Sequence, residues 1–389
     1  MAPLGPLSVL VAPDSFKGSL SSVQVARALT EGWGSARRTD ELTSTPLADG
    51  GEGTLEALIA AGGWLPLPAA ARDPLDRPVA ARFLRDGERA VIEMAEASGL
   101  SRVAPAERDA MAASTFGTGL ILAAAIGLGV RDIVIGLGGS ATTDGGSGLL
   151  RALGARFLDA HGQEIRPGGG GLARLARVDL SELSPVLAEV SLTVASDVTN
   201  PLLGELGAAA TYGPQKGADA AQVAQLDTNL AHYADVLEAE IGRPLREQPG
   251  AGAAGGTTTG LLAIADRFSD FSIRPGVEVM MELTGFSEIL DASDLVITGE
   301  GRIDAQTAYG KTCLGVARRA ADAGRPCLAF GGGVTVEGIR ALAAVNAVVM
   351  PVTEGPTSVE AAMAAGAGPI ARAAERVARL LTLGGSLRQ

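Results

Sequence analysis

Four acidic residues follow predicted strands, and each stands beside glycines or other turn-forming residues. Asp14 lies in Ala-Pro-Asp-Ser-Phe-Lys-Gly, Asp49 in Asp-Gly-Gly-Glu-Gly, Asp197 in Ser-Asp-Val-Thr-Asn and Glu300 in Thr-Gly-Glu-Gly-Arg. The carboxyl ends of parallel strands line the ligand crevice of an open sheet, and carboxylates gathered there repel one another unless a cation lies among them. A single such residue is often only a helix cap. Four of them, in a chain poor in histidine and cysteine, predict an oxygen-donor site suited to Mg²⁺.

Residues 138–146 form a glycine-rich turn, Gly-Gly-Ser-Ala-Thr-Thr-Asp-Gly-Gly, between the predicted strand Ile133–Leu137 and a helix. The backbone N–H groups of such a turn, together with a helix N-terminus, can bind an anion, and the hydroxyl groups add donors. We therefore predict a phosphate or nucleotide site here, with a ligand-free turn as the alternative. The predicted ligands are Gly138, Gly139, Ser140, Thr142 and Asp144.

Two shorter motifs compete with this assignment. Gly136–Ala141 fits the dinucleotide fingerprint G-x-G-x-x-A, but the chain has 53 glycines, and no strand ends in an acidic residue about 20 positions later. Ala305–Thr312 fits a loose P-loop with Ala in the first place. A P-loop follows its strand directly, whereas Gly-Glu-Gly-Arg-Ile-Asp intervenes here. Lys311 is then either near the site or a solvated lysine at a helix start.

The charge balance narrows the range of partners. The 389 residues include 32 Lys and Arg against 44 Asp and Glu, a formal net charge of −12. This argues against a nucleic-acid partner, because such binding depends on basic residues that neutralise phosphates. Lys17, Lys216 and Lys311 are the only lysines, and each neighbours a glycine. A small anion would have to be bound by these few cations and by Arg302.

Cysteine and histidine are scarce, and no membrane segment is expected. Cys313 and Cys327 are the only cysteines and no residue pair has zinc-ligand spacing, so we interpret both thiols as core residues in a reducing compartment. Ala110–Val130 is uncharged but contains polar residues and four glycines, which favours a buried helix. Met1–Pro6 lacks a basic region, so no secretory signal and a cytoplasmic location are expected.

Short β-branched runs alternate with helical patterns, which predicts βαβ units and a mostly parallel sheet. Ser21 and Gln24 form a possible capping box at the start of the first helix. Strands are predicted at Ser8–Ala12, Thr43–Ala48, Ala90–Met94, Ile133–Leu137, Leu192–Ser196, Leu295–Thr298, Cys327–Phe330 and Ala347–Pro351. Helices are predicted from Ser21 to about Glu31 and from about Glu52 to Ala61, and near Thr118–Ile126, Ala221–Ile241, Gly276–Leu290, Leu314–Ala323, Val336–Ala344 and Val359–Leu381.

The domain organisation follows from two irregular stretches. Trp64–Pro78 carries four prolines, which suits a domain crossing, and Arg246–Thr259 is too rich in glycine for an ordinary loop. From Asp294 the strand–helix alternation of the N-terminus returns. We predict a fold of two α/β domains, one from residues 1–68 and 291–389 and one from the insertion 69–290, with the ligand cleft between them.

Taken in chain order, these motifs resemble the bacterial glycerate kinase family of the glycerate 2-kinase type. The segments that carry the resemblance are Ala12–Lys17, Ala48–Thr54, Gly138–Thr142, Asp197–Leu202, Gly213–Ala218, Pro249–Gly256, Val296–Asp304 and Gly310-Lys311. The resemblance covers nearly the whole chain. It implies ATP-dependent phosphorylation of D-glycerate to 2-phosphoglycerate, and a Rossmann-like domain built from both chain ends. Thr143, Cys313 and Thr257–Thr259 depart from the usual family residues, and none of these departures removes a carboxylate or a lysine.

Roles follow from the resemblance and the residue chemistry together. Asp197 is the predicted general base because it ends a strand and neighbours Asn200, and Asp14 is its rival. Lys17 is predicted to act beside them and, like Arg302, to hold the glycerate carboxylate or the transferred phosphoryl group. The predicted substrate ligands are Ser15, Asn200, Lys216 and Arg302, and the predicted Mg²⁺ ligands are Asp49, Glu300 and Asp304.

Two other classes of protein stay open at this point. One is a nicotinamide-dependent hydroxy-acid dehydrogenase, which rests on G-x-G-x-x-A, and the other is a non-catalytic sugar-acid binding protein. We also expect a small-molecule substrate and neither a membrane nor a nucleic-acid partner. The protein is expected to be a monomer or a homodimer.

Overall fold

The computed structural model describes residues 5–305, 307 and 312–386. The chain divides into two compact units. The terminal unit comprises Met1–Asp49, Glu56–Gly63 and Val277–Gln389, and the middle unit comprises Gly50–Leu55 and Trp64–Gly276. The domain bounds and the cleft predicted from the sequence stay predictions.

Strands and helices alternate over most of the chain. The strands are β1 Ser8–Val11, β2 Glu41–Ser44, β3 Leu65–Arg72, β4 Pro78–Asp86, β5 Arg89–Glu93, β6 Asp132–Gly136, β7 Arg156–Leu158, β8 Arg177–Asp179, β9 Ser191–Ala195, β10 Asp270–Arg274, β11 Leu295–Ile303, β12 Cys327–Val334 and β13 Ala347–Pro351. The α-helices are α1 Ser22–Ala36, α2 Thr54–Ala61, α3 Ala95–Ser98, α4 Phe116–Gly127, α5 Ser147–Ala152, α6 Ala208–Tyr212, α7 Ala220–Ile241, α8 Ala253–Ala263, α9 Gly276–Leu283, α10 Phe286–Asp291, α11 Thr312–Asp322, α12 Val336–Ala343, α13 Val359–Ala364 and α14 Gly368–Ser386. This confirms the predicted α/β class. Within the described ranges, no helix is both long enough and apolar enough to cross a membrane.

The terminal unit contains a five-stranded parallel sheet in the order β13-β12-β11-β1-β2. Val9 of the interior strand β1 pairs with Leu295 of β11 on one side and with Leu42 of β2 on the other. The strand is buried on both faces, as expected for a parallel sheet covered by helices. Its carboxyl end leads directly to Asp14, and this register therefore fixes where that carboxylate lies.

Helix α1 shows how the terminal unit packs. Its capping box is formed as predicted, since the Ser21 hydroxyl accepts from the amide of Gln24 and the Gln24 side chain accepts from the amide of Ser21. At Gly32 a Cβ atom would lie 2.0 Å from the carbonyl oxygen of Ala371 in α14. Only glycine allows this approach of the two helix backbones.

The middle unit contains a six-stranded mixed sheet in the order β10-β9-β6-β5-β4-β3. Strands β5, β6, β9 and β10 are parallel, whereas β3 and β4 form an antiparallel hairpin. The stretch Trp64–Pro78, predicted as a domain crossing, contains the edge strand β3, and an edge strand tolerates Pro66 and Pro68. The crossing itself stays a prediction. Helix α8 begins within the stretch Arg246–Thr259, which was not predicted as helix, and its regular part follows the left-handed residues Ala254–Gly256.

Two predicted helices are each divided by a glycine. The pattern over Gly276–Leu290 is interrupted at Gly285, which has φ 64°, and the pattern over Val359–Leu381 is interrupted near Gly366, which has φ 61°. A left-handed residue ends a helix. A hydrophobic period alone does not show this interruption, because the apolar spacing continues across it.

Candidate active site

Asp14 follows β1 and lies buried in the terminal unit, with 7% of its surface exposed. Its Oδ2 accepts a hydrogen bond of 2.7 Å from the Thr312 hydroxyl, and its Oδ1 accepts from the amide of Ser15 at 2.6 Å. Burial, and then the charge of Asp49, raises the pKa of Asp14 to about 6. This carboxylate therefore exchanges a proton close to neutral pH, which is the property that a general base needs.

Lys17 and Asp49 form an ion pair in the same unit. The distance from Lys17 Nζ to Asp49 Oδ2 is 3.0 Å, and 72% of the lysine side chain is exposed. The charge of Asp49 raises the pKa of Lys17 above its ordinary value, with smaller contributions from Asp14 and Glu300. Lys17 is thus a charged, accessible cation beside three of the carboxylates that the sequence singled out.

Glu300 lies inside β11, because this strand continues to Ile303 instead of ending near Thr298. Its carboxylate is buried and accepts a hydrogen bond of 2.5 Å from the Thr307 hydroxyl. The same hydroxyl accepts from the amide of Asp304 at 3.1 Å. Thr307 therefore holds Glu300 and the backbone of Asp304 in one arrangement.

Arg302 is an exposed residue at the end of this segment. Its Nε lies 2.8 Å from Asp304 Oδ2, and 75% of its side chain is exposed. A guanidinium in this position can bind a planar carboxylate by two hydrogen bonds. Arg302 has the chemistry for an anionic ligand, and Asp304 fixes part of its orientation.

The residues predicted to bind Mg²⁺ do not form a preformed metal cluster. Over residues 5–305, 307 and 312–386, no three His, Cys, Asp or Glu side chains are grouped closely enough to hold a metal ion. Mg²⁺ usually keeps several waters and is bound through one or two carboxylates together with substrate phosphates. Asp49, half-buried, and Glu300, buried, supply such oxygen donors, so these residues fit a magnesium–nucleotide complex.

The turn 138–146 of the middle unit is mostly enclosed. Gly139 is exposed and has φ 74°, Gly138 is half-buried, and residues 140–146 are buried. The amides of Gly138, Ala141, Gly145 and Gly146 already donate to protein acceptors. We call residues 138–140 the loop tip, because it contains Gly139, the exposed residue of the turn, and its two neighbours.

Asp144 is fully buried and holds the turn together from within. Its carboxylate accepts hydrogen bonds from the amide and the hydroxyl of Thr115, both at 2.9 Å, and from the amides of Gly146 and Gly148. Burial raises the pKa of Asp144, and these hydrogen bonds oppose that rise. In this arrangement Asp144 stabilises the turn.

Lys216 is buried in the same region, with 2% of its surface exposed. Its Nζ donates to Ser140 Oγ at 2.9 Å and to the carbonyl oxygen of Thr142 at 2.5 Å. Burial lowers the pKa of Lys216 to about 7, and the charge of Asp144 opposes this effect. The structure thus places a buried amine in hydrogen-bond contact with Ser140 of the loop tip.

A second tight segment packs against the turn. Ala254, Gly255 and Gly256 all have positive φ, at 52°, 69° and 85°. A Cβ at Gly255 would lie 2.0 Å from the carbonyl oxygen of Thr142. A non-glycine residue such as Ala254 keeps a positive φ only where its surroundings require it, and this segment allows the two backbones to meet.

Several buried hydroxyls in this region have no hydrogen-bond partner in the structure: Thr142 Oγ1, Thr143 Oγ1, Thr258 Oγ1 and the Tyr233 hydroxyl. Buried polar groups are normally hydrogen-bonded to protein or to ordered water. These four hydroxyls are therefore exceptions in the interior of the middle unit.

Asp197 and Asn200 also lie in the middle unit, after β9. Asp197 is exposed, and its Oδ1 accepts from the amide of Gly276 at 2.9 Å. The Asn200 amide donates to the carbonyl oxygen of Leu206 at 2.7 Å, and its oxygen accepts from the Tyr212 hydroxyl at 3.0 Å. Asn200 therefore holds its own loop, and its predicted contact with substrate stays a prediction.

Sequence reasoning did not find three threonines that orient these carboxylates: Thr115, Thr307 and Thr312. A threonine hydroxyl that serves a distant carboxylate carries no sequence signal, since Thr312 and Asp14 are far apart in the chain. Thr307 and Thr312 are themselves part of the P-loop-like segment. Its lysine, Lys311, lies outside the described residues.

These features define a class of protein. An α/β fold that combines buried carboxylates and an exposed Lys17 with a glycine-rich turn backed by Lys216 has the groups that phosphoryl transfer requires. In that chemistry the protein mainly positions the reactants and neutralises their charge. The α/β fold and these groups point to a phosphotransferase.

Comparison with known proteins identifies the family. Residues 9–382 match the glycerate kinase family. The chain is 46% identical over 327 residues to a glycerate kinase of Halalkalibacterium halodurans, which covers 84% of this chain and 85% of that protein. It is 41% identical over 381 residues to the glycerate 2-kinase of Escherichia coli K12, which covers 97% and 99%. A crystal structure assigned to glycerate kinase 2 of Salmonella typhimurium LT2 superposes with a TM-score of 0.82 at 39% identity, and the match covers 98% of this chain and all of that one.

The chain therefore belongs to the glycerate kinase family, and it is a kinase with an alcohol group as acceptor. The resemblance noted from the motifs is confirmed. The dehydrogenase and the non-catalytic binding protein are excluded as its class, so the match of Gly136–Ala141 to G-x-G-x-x-A does not mark a nicotinamide site.

Proposed function

We propose that this enzyme transfers the γ-phosphoryl group of ATP to the 2-hydroxyl of D-glycerate, giving 2-phosphoglycerate and ADP. The observation that carries the proposal is the group formed by Asp14, Lys17, Asp49 and Glu300 in a member of this family. The choice of the 2-hydroxyl is supported by the name of the Escherichia coli relative, a glycerate 2-kinase that is aligned over nearly the whole chain.

The exposed cations Lys17 and Arg302 are the groups that can neutralise the negative charge of the substrates. Glycerate brings one carboxylate and ATP brings a polyphosphate, while the protein itself has a net charge of −12. Lys17 is exposed and held by Asp49, and Arg302 is exposed and held by Asp304. We assign to Lys17 and Arg302 the binding of the glycerate carboxylate or of the phosphoryl group in transfer.

The acceptor hydroxyl needs a group that takes its proton. Asp14 is favoured by its pKa of about 6 and by the Thr312 hydroxyl that fixes its orientation. Asp197, the choice from sequence, is exposed and already accepts from Gly276. We therefore propose Asp14 as the general base, with Asp197 as the alternative to be tested.

Mg²⁺ is proposed as the cofactor beside ATP. Held with the nucleotide, the ion would supply positive charge that neutralises the phosphates during transfer. Asp49 and Glu300 are the protein ligands that we propose for it, with Asp304 as a third candidate. For the nucleotide we propose the loop tip at residues 138–140, which contains the exposed Gly139 and the Ser140 hydroxyl. The protein is predicted to be cytoplasmic. It is also predicted to be a monomer or a homodimer.

The direct test is to incubate the purified protein with ATP, Mg²⁺ and D-glycerate, to follow ADP release, and to identify the product by ³¹P NMR. We expect 2-phosphoglycerate, with L-glycerate and lactate as matched control substrates. Formation of 3-phosphoglycerate would contradict the regiochemistry alone. No ADP release with D-glycerate would contradict the function, and full turnover in excess EDTA would contradict the role of the metal.

A further inference from the structure

The amine of Lys216 joins two points of the glycine-rich turn. It donates to the side chain of Ser140 and to the backbone carbonyl of Thr142, and it is almost completely buried. A group with 2% exposure has little access to a substrate that arrives from solvent. Its contacts instead fix one hydroxyl and one peptide plane of the turn.

The direction of the hydrogen bond to Ser140 has a chemical consequence. An ammonium group has three donors and no acceptor, whereas a hydroxyl has one donor and two acceptor sites. When Ser140 Oγ accepts from Lys216, its own proton must be donated to another group. Among the residues that the structure describes, no protein acceptor receives that proton. In its ammonium form, Lys216 therefore makes the Ser140 hydroxyl a hydrogen-bond donor.

The donor lies next to the accessible end of the turn. Gly139, its neighbour, is exposed and has a positive φ. Ser140 itself has 6% of its surface exposed. A preset hydroxyl donor beside an exposed glycine, with a cationic amine behind both, is suited to an anion.

The lysine is itself held firmly. It ends the short 3₁₀ helix Pro214–Lys216, and Arg108 donates to the carbonyl oxygen of Gln215 at 3.1 Å. Gly217 follows with φ 96°, and a Cβ there would lie 2.6 Å from the carbonyl oxygen of Arg108. The approach of Arg108 to Gly217 thus fixes the position from which Lys216 reaches the turn.

We propose that Lys216 is a positioning residue that orients the Ser140 hydroxyl toward a phosphate group of the nucleotide at the loop tip, and that it does not contact glycerate. This inference rests on the proposed function, which brings ATP to the enzyme. It replaces the direct substrate contact that the sequence suggested for Lys216. Ser140 touches the anion, and Lys216 acts through Ser140.

The test is a double-mutant cycle on nucleotide binding. The Kd of ADP, with Mg²⁺ and without glycerate, is measured by calorimetry for the wild type, S140A, K216M and the double variant. A hydrogen bond to a charged group corresponds to about a 10- to 100-fold change in Kd. We expect S140A and K216M each to weaken ADP binding by about that factor, and the double variant to be no weaker than either single variant, because both remove the same contact.

Steady-state kinetics separates positioning from a general loss of structure. K216M is expected to raise the KM for ATP and to leave the KM for glycerate unchanged, and S140T, which keeps a hydroxyl, is expected to bind ADP more tightly than S140A does. An increase in the KM for glycerate with an unchanged ADP Kd would overturn the proposal in favour of a direct substrate contact. Additive losses in the double variant would overturn it as well, since the two residues would then act separately.

The outcomes also distinguish this inference from the proposed function. If K216M does not fold, S140A still decides, because an ADP Kd equal to that of the wild type overturns the inference. In that case, turnover of D-glycerate by the wild-type enzyme would still support the proposed function. Coupled losses of ADP binding in an enzyme that does not phosphorylate D-glycerate would contradict the function and support the role of Lys216.

Discussion

Replacing Thr312 by valine tests whether the ionisation of Asp14 controls activity. The two side chains have nearly the same shape, so the substitution removes one hydroxyl and little volume. That hydroxyl donates to Asp14 Oδ2 at 2.7 Å and is buried. A hydrogen bond to the ionised carboxylate favours the charged form, and its loss should raise the pKa of Asp14 above its present value of about 6.

The size of the change follows from the hydrogen bond. A hydrogen bond to a charged group contributes about 1.5 kcal/mol at the low end of the usual range, and about 1.4 kcal/mol corresponds to one pKa unit. We therefore expect the pKa of Asp14 to rise from about 6 to about 7. If Asp14 must be ionised to accept the proton, activity is lost as the pH falls through this pKa. At about half a pH unit above the wild-type value, T312V should retain roughly a third of the wild-type activity.

The assay is the pH dependence of kcat/KM for D-glycerate at saturating ATP and Mg²⁺, which reports ionisations of the enzyme before glycerate binds. Phosphate groups of the substrates titrate in the same region, so the measured quantity is the shift between variants. T312S keeps the hydroxyl and should restore the wild-type profile. T298V is the matched control, because it removes a buried hydroxyl that donates to the carbonyl oxygen of Ala12 and not to Asp14.

An unchanged acid limb in folded T312V would refute this reasoning. Asp14 would then not be the group whose ionisation limits the reaction, and Asp197 would become the preferred base. A uniform loss of activity at every pH in T312V, not rescued by T312S, would equally assign Thr312 a purely structural role.

Three further predictions concern other parts of the chain. Asp197→Asn should lower kcat less than tenfold if Asp14 is the base, and a fall of about 10²–10⁴-fold would assign the base to Asp197. Burial raises the pKa of Glu93 from 4.5 to about 7 although it accepts from the amides of Gly53 and Leu55. Its protonated form therefore favours folding, and the stability that it contributes below about pH 4.5 is lost as the pH rises through about 7, by about 3 kcal/mol in all. Glu93→Gln should flatten this dependence in urea unfolding, and an unaltered slope would show that Glu93 does not titrate in this way. Gly32→Ala places a methyl group against the backbone of Ala371 and should destabilise the fold by about 1–3 kcal/mol; a thermal midpoint equal to that of the wild type would show that α1 and α14 can separate at little cost.

Much of the fold could be predicted because local signals agree with the tertiary contacts. The capping box of Ser21 and Gln24 and the apolar runs of the parallel strands are contained within a few residues. The hairpin of β3 and β4 could not be predicted in this way, because prolines in a strand are acceptable only at the edge of a sheet. Whether a strand is at an edge depends on the order of strands, and distant segments of the chain set that order.

The candidate site likewise has features that the sequence predicts and features that only the tertiary contacts determine. The sequence by itself determined the family, the α/β class and the carboxylates, lysines and glycine-rich turn from which a kinase site is built, since these depend on residue types and motif order. The tertiary structure alone decided how those groups are held: Thr312 on Asp14, Thr307 on Glu300, and Lys216 behind Ser140. Burial changes the pKa of Asp14 and of Lys216 in opposite directions, toward about 6 and about 7. Desolvation disfavours the charged form of either group, and the extent of desolvation is fixed only when the chain has folded around it.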